Sequence, residues 1–262
     1  MFPNFKNKHA QDSMFTAKEF FGYNKRHGRA PHIKAPEAII ICYSRALMQY
    51  IKKNENITEY DAFGGTLYLL NASKNRIGIL GDIGIGSPAV GVALEEAIAF
   101  GTKIFISIGT AGTLQQTMHE GDVVLCSKAI RDEGTSFHYL KSSTYAYPSK
   151  ELIKHIATYF TAKNIPYTSG SSWTIDAPYR ETVAEAKKYQ KEGVLTVEME
   201  ASALFAIAAY HQVQMVAIFI ISDSLAELTW NPQFHHKKTK SGLAQLYRHT
   251  VALLSSALER KK

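Results

Sequence analysis

The sequence predicts an α/β protein built on one central, largely parallel sheet with helices on both faces. Three observations carry this: strand and helix signals alternate along the chain, the clearest strands, at 38–42 and 215–221, are wholly apolar, and no repeat or linker breaks the pattern. A strand without polar positions must bury both of its faces, and a sheet between two helical layers does that. The chain has 262 residues, 45% of them hydrophobic and 20% charged, ample for one core. The organisation expected is an N-terminal arm over residues 1–35 and a single domain over 36–262.

Each element has its own reason. Residues 1–35 are polar and basic with scattered Phe, which reads as an arm. Ala38–Cys42 is a β-branched run and a buried strand, and 45–53 has helical spacing. Residues 66–70 and 76–80 read as paired strands around an Asn-Ala-Ser-Lys-Asn turn. Residues 89–100 form a helix that Gly101 stops. Strands follow at 103–108 and 122–129, then helices at 151–162 and, highly charged, at 181–191. An Ala-rich helix covers 199–211, a wholly apolar strand 215–221, and a long amphipathic helix 242–258.

Charge and cysteine content narrow the partners. The net charge is +7, concentrated at Lys6 and Lys8, Arg26 and Arg29, Lys237, Lys238 and Lys240, and Arg260 to Lys262. These read as solvated tails and loops. A nucleic-acid surface needs a basic face interleaved with stacking aromatics, and none is marked. Attraction of a small anionic substrate fits the charge equally well. The two cysteines, Cys42 and Cys126, sit in apolar runs as buried thiols. The first twenty residues lack the apolar core of a signal peptide, and the longest apolar stretch, 215–221, is too short to cross a bilayer. A cytoplasmic protein without a membrane partner is expected.

In sheets of this kind ligands bind at the carboxyl ends of the strands, so residues that follow the apolar runs are the candidates. Gly81-Asp82-Ile83-Gly84-Ile85-Gly86-Ser87-Pro88 joins a strand to a helix, and its N–H groups, that of Gly84 among them, suit an anion. Its spacing is neither GxGxxG nor a Walker loop, and a structural turn explains it as well. Gly109-Thr110-Ala111-Gly112 has the same two readings, with the Thr110 hydroxyl added. Glu198-Met199-Glu200 lies where a strand turns into a helix. A carboxylate there can accept two sugar hydroxyls, or simply sit at the favourable end of the helix dipole. Asp223, after the strand at 215–221, is either a general acid with a raised pKa or the cap of the next turn. His235-His236 reads as a solvated loop, since adjacent side chains diverge and no carboxylate stands at ligand spacing; no metal site is expected.

In this order the segments resemble the nucleoside phosphorylase family, which includes purine nucleoside phosphorylases, uridine phosphorylases and methylthioadenosine nucleosidases. The resemblance runs from about Pro31 to the C-terminus. It is strongest in residues 81–88, 109–112, Gly121-Asp122-Val123-Val124, Val197-Glu198-Met199-Glu200-Ala201 and Ser222-Asp223. It implies a three-layer α/β/α sandwich with a central mixed, partly barrel-like sheet, assembled as a homodimer or hexamer. It implies that Glu200 holds the ribose 2′- and 3′-hydroxyls, that Met199 packs on the sugar with Glu198 assisting, and that Asp223 is the acid addressing purine N7. His32, in Pro31-His32-Ile33, resembles the histidine that reaches the sugar 5′-hydroxyl of a neighbouring subunit. Arg45 and Thr110 match phosphate contacts, and Trp173-Thr174-Ile175-Asp176 falls where the family walls its base pocket. No metal or organic cofactor is implied; inorganic phosphate would be the co-substrate.

Two departures stand out. Ser107 occupies the position where the family's phosphorylases carry an arginine, and Ile41-Cys42-Tyr43-Ser44-Arg45 lacks the glycine that opens the first phosphate loop. Arg45, where the nucleosidase branch places a glutamate, favours phosphorolysis. The loop at Arg131-Asp132-Glu133-Gly134-Thr135-Ser136-Phe137-His138 resembles uridine phosphorylases, whereas Asp223 resembles the purine enzymes, and the purine reading is preferred. The alternatives are a uridine phosphorylase, a hydrolytic nucleosidase, and a nucleoside-binding protein without turnover.

Overall fold

Why the chain turns where it does is visible at its helix starts. In a computed structural model that describes residues 5–260, Thr16 and Glu19 form a reciprocal capping box that opens α1 (Ala17–Arg26). The first four residues of the expected arm lie outside the described residues, as do Lys261 and Lys262 of the basic C-terminus. The arm is therefore partly helical: α1 packs over the domain through Phe21, whose ring stacks at 5.4 Å on Phe100. Strand β1 (Ala38–Cys42) follows, buried at all five positions, and then α2 (Arg45–Asn54), where the Ser44 hydroxyl accepts from the Leu47 N–H. Strands β2 (Ile57–Ala62), β3 (Gly65–Leu70) and β4 (Ile77–Gly81) lead to α3 (Ser87–Phe100), which stops at Gly101 with φ 127°.

The second half builds the rest of the sheet. Strands β5 (Ile104–Thr113) and β6 (Val123–Asp132) are long, and the two-residue β7 (Tyr145–Ala146) pairs with β6. After α4 (Lys150–Ala162) come β8 (Thr168–Ile175), α5 (Val183–Lys191) and the short β9 (Thr196–Glu198). Helix α6 (Ala201–Tyr210) leads to β10 (Gln214–Ser224), β11 (Asn231–Pro232) and α7 (Lys237–Glu259).

The sheet is mixed rather than largely parallel. Its parallel centre, β4–β1–β5–β10, is flanked by antiparallel pairings at β2–β3, β3–β4 and β10–β6. Strand β6 continues parallel to β8 and β8 to β9, and β9 returns antiparallel to β5. Strands β5, β10, β6, β8 and β9 thus close a ring. Alternation sorts the side chains into layers. Ile39 and Ile41 face α3 and α6; Ile40 and Cys42 face α2, α4 and α7. Eight consecutive residues of α6 are buried, Ala201 to Ala208, which explains its composition. Each fully buried Leu, Ile or Phe in these layers contributes about 1.5–3 kcal/mol.

Candidate functional site

The carboxyl ends of β1, β5, β9 and β10 open onto a cavity of about 690 Å³. A smaller cavity, about 420 Å³, lies at the amino ends of β6 and β8, away from these residues.

Strand β9 delivers Glu198, and the turn into α6 delivers Met199 and Glu200. The Glu198 carboxylate is saturated. Its Oε1 accepts from the Thr174 hydroxyl at 2.6 Å and the Ser172 hydroxyl at 3.0 Å, and its Oε2 accepts from the N–H groups of Glu200 at 2.8 Å and Ala201 at 2.7 Å. Burial raises its pKa, and these four bonds work against that rise. Glu198 therefore caps α6 and fixes the backbone of Glu200. Glu200 lines the cavity, and its Oε1 accepts from the Gly86 N–H at 2.6 Å. Gly86 has φ 91° and ψ 156°, a conformation open to glycine, and this aims its N–H at the carboxylate. Burial, and then the neighbouring charge of Glu198, push the Glu200 pKa up to about 7. The Met199 carbonyl accepts from the Ser87 hydroxyl at 2.8 Å, tying α3 to the same turn.

Strand β10 brings Asp223 to the same cavity. The register of β10 against β5 slips between Ile221 and Asp223, so Ser222 is a bulge that re-aims the aspartate. Asp223 Oδ1 accepts from the Ser222 hydroxyl at 2.7 Å and Oδ2 from the Trp230 indole N–H at 3.0 Å. Its pKa is raised by burial, against both bonds. A Cβ on Gly112 would come within 2.9 Å of Asp223 Oδ2 and 2.8 Å of Leu225, so this glycine makes the room.

The strand ends of β1 and β5 supply the third wall. Thr110 lines the cavity, and so does Tyr43, whose phenol meets the Ser107 hydroxyl at 3.1 Å. Burial and the charge of Glu200 hold the Tyr43 pKa well above its usual value, so this end of the cavity presents neutral hydroxyls.

Other expected site residues lie elsewhere. Arg45 is exposed and does not line the cavity, because Leu47, Met48 and Ile51 take the buried face of α2. Gly84 is exposed in its turn, and the N–H in use there is that of Gly86. Trp173 and Thr174 do not wall the cavity. Alternation on β8 sends Trp173 into a separate core, with its ring 4.9 Å from Tyr189 and its indole N–H on Asp132. Thr174 points the other way and reaches the cavity only through Glu198. His32 is exposed, outside the cavity of its own chain. Segment 109–112 and Arg131-Asp132 belong to strands rather than loops, since β5 and β6 run on past their apolar stretches.

The residues that sequence reasoning missed are Tyr43, Glu181 and Trp230. Tyr43 directly follows an apolar strand and was findable on that ground. Glu181 was absorbed into a helix expected at 181–191, although Thr182-x-x-Glu185 marks the start one residue later. His236 pairs with Glu120 at 3.2 Å, and among the described residues no three His, Cys, Asp or Glu side chains gather as a metal site.

Saturated Glu198, cavity-facing Glu200 and bulged Asp223 thus line one cavity at the strand ends of a partly closed sheet. The chain belongs to the Phosphorylase superfamily, whose sequence model matches residues 37–255. It is 31% identical over 194 residues to a DeoD-type purine nucleoside phosphorylase of Alkaliphilus metalliredigens, covering 72% of this chain and 83% of that one. A Bacillus cereus protein of the same name is 27% identical over 203 residues, covering 76% and 86%. The fold is shared with the Toxoplasma gondii purine nucleoside phosphorylase solved with immucillin-H, at TM-score 0.74, 18% identity and coverage of 87% and 94%. A Vibrio fischeri uridine phosphorylase superposes at TM-score 0.71, with 23% identity and coverage of 86% and 92%.

Proposed function

We propose that the chain is a nucleoside phosphorylase that cleaves purine ribonucleosides with inorganic phosphate, giving free base and ribose 1-phosphate. The observation that carries this reading is one cavity lined by both Glu200 and Asp223, each with its pKa raised by burial. Ionised Glu200 is an acceptor for the ribose diol, and the N–H of Gly86 holds it for that task. Asp223, retaining its proton more readily than a solvated aspartate, donates toward N7 as the base departs. The C1′–N9 bond then breaks with its electron pair going to the base, and phosphate oxygen bonds to C1′. The transition state carries positive charge on the sugar, so the protein's work is positioning and electrostatics. Thr110 contributes a hydroxyl to the attacking phosphate, and Arg45, at the start of α2, adds charge from the side. His32 serves the ribose of a neighbouring subunit in a homo-oligomer.

A second reading, hydrolysis, is favoured by one feature. The Tyr43–Ser107 pair puts neutral hydroxyls where an attacking anion has to stand. Incubation with inosine, adenosine, guanosine and uridine, with and without phosphate, separates the two. Phosphorolysis predicts base release that requires phosphate and yields ribose 1-phosphate. Equal turnover in phosphate-free buffer, with free ribose as product, would replace it with hydrolysis.

A further inference from the structure

We propose that Glu181 is the residue that reads the base: its carboxyl accepts a hydrogen bond from an N–H on the edge of the base whose other side meets Asp223. This rests on the reading of the cavity as a nucleoside site. Four carboxyl side chains line that cavity, those of Glu181, Glu198, Glu200 and Asp223. Three have assigned work. Glu198 accepts four hydrogen bonds, Glu200 takes the Gly86 N–H, and Asp223 takes Ser222 and Trp230 on separate oxygens. Among the described residues, no donor is hydrogen-bonded to the carboxyl of Glu181.

The plainer explanation for a glutamate here is a helix-start carboxylate, and the geometry excludes it. The N-terminus of α5 is already served by Thr182, whose hydroxyl accepts from the Glu185 N–H at 3.3 Å. The Glu185 carboxylate closes the box on the Thr182 N–H at 3.1 Å. Glu181 precedes that box and takes no part in it, and its side chain is left over for the cavity. Burial, followed by the charges of Asp223 and Glu185, raises its pKa to about 7. A half-sequestered carboxyl without a partner is costly, and a ligand N–H relieves that cost. Either protonation state leaves an oxygen to accept. The candidate donors are N1–H of a 6-oxopurine, the 6-amino group of adenine and N3–H of uracil, each on the edge of the base away from the sugar.

Methylation of the donor tests the contact without touching the rest of the substrate. The pairs are inosine with 1-methylinosine, adenosine with N6,N6-dimethyladenosine, and uridine with 3-methyluridine. For the substrate the wild type cleaves, kcat/KM should fall about 10- to 100-fold on methylation, the range for losing a hydrogen bond to a charged group. In Glu181→Ala the gap should close to within about threefold, because without the acceptor the substrate N–H has no bond for methylation to remove. Glu181→Gln keeps an acceptor oxygen and should keep most of the gap. A gap that persists in the alanine variant, or a glutamine variant that behaves like alanine, would overturn the assignment. A wild type that cleaves no nucleoside would sink the phosphorylase reading instead. Glu181 is then judged by calorimetry with hypoxanthine and 1-methylhypoxanthine, where equal binding of the two, or binding of neither, overturns it.

Discussion

Glu200 carries a conflict between stability and work. Its pKa stands near 7, above the ordinary 4.5, so the folded state holds this proton more tightly than the unfolded chain does. The stabilisation from the protonated form is complete below about pH 4.5 and is lost as pH rises through 7. At pH 8 the ionised side chain costs on the order of 3 kcal/mol, the linkage value of such a shift. Glu200→Gln removes the ionisation and keeps an oxygen for Gly86. It should unfold at higher urea than wild type at pH 8, with little difference at pH 5, while kcat/KM falls by at least tenfold. A variant less stable at both pH values would show that the carboxylate is not strained. Glu200 and Asp223 were legible in the sequence as cavity-lining candidates because they follow apolar runs. The saturation of Glu198 was not legible, because its hydroxyl partners Ser172 and Thr174 come from a strand 24 or more residues away.

Among elements, the bulge in β10 is the one on which the site turns. It exists because Ser222 is spliced between two residues that pair in register with β5, and Gly112 opposite leaves room for the redirected aspartate. Gly112→Ala sets a methyl group within 2.9 Å of Asp223 Oδ2, too close for either to stay. The expected result is a loss of about 1–3 kcal/mol in thermal or urea unfolding, the usual cost of overpacking, with kcat lowered more than KM as Asp223 leaves its place. Unchanged kinetics would mean that Asp223 is not held where the reaction needs it. Element type was readable wherever apolar periodicity was strong, as in β1, α2, α3 and α7. The strand before Glu198 was readable from its apolar residues, and it is β9. Strands β2 and β8 were not, for a physical reason. The Thr, Ser and Gly of β8 look like a loop until Ser172 and Thr174 are seen to serve Glu198. The antiparallel β3–β4 pair was readable from its Asn-Ala-Ser-Lys-Asn turn, whereas the β2–β3 and β10–β6 pairings were not, since direction leaves no mark on an apolar run.

For the whole molecule, the cavity mouth is rimmed by apolar side chains in water: Ile85 is 66% exposed, Tyr179 fully so, and Trp230 63%. A rim of this kind is suited to burial against another subunit. With His32 on the surface, outside its own cavity, we expect the active species to be a dimer or larger. Sedimentation across a dilution series should show activity falling as the assembly dissociates; a fully active monomer would leave His32 a surface residue. The closed ring bears on how the fold is reached. It is completed when β9 settles between β5 and β8, pairing Gly112 with Val197 and Thr174 with Glu198 across long stretches of chain. Contacts so distant in sequence are slow to form, because loop entropy is lost before they repay it. A chain still lacking β9 has most of its sheet but no floor under Glu200, and hence no cavity to fill. On the proposed reading, a nucleoside held against Glu198 and Glu200 should stabilise the folded state through the shortest strand of the ring, so that unfolding would shift to higher urea as nucleoside is added.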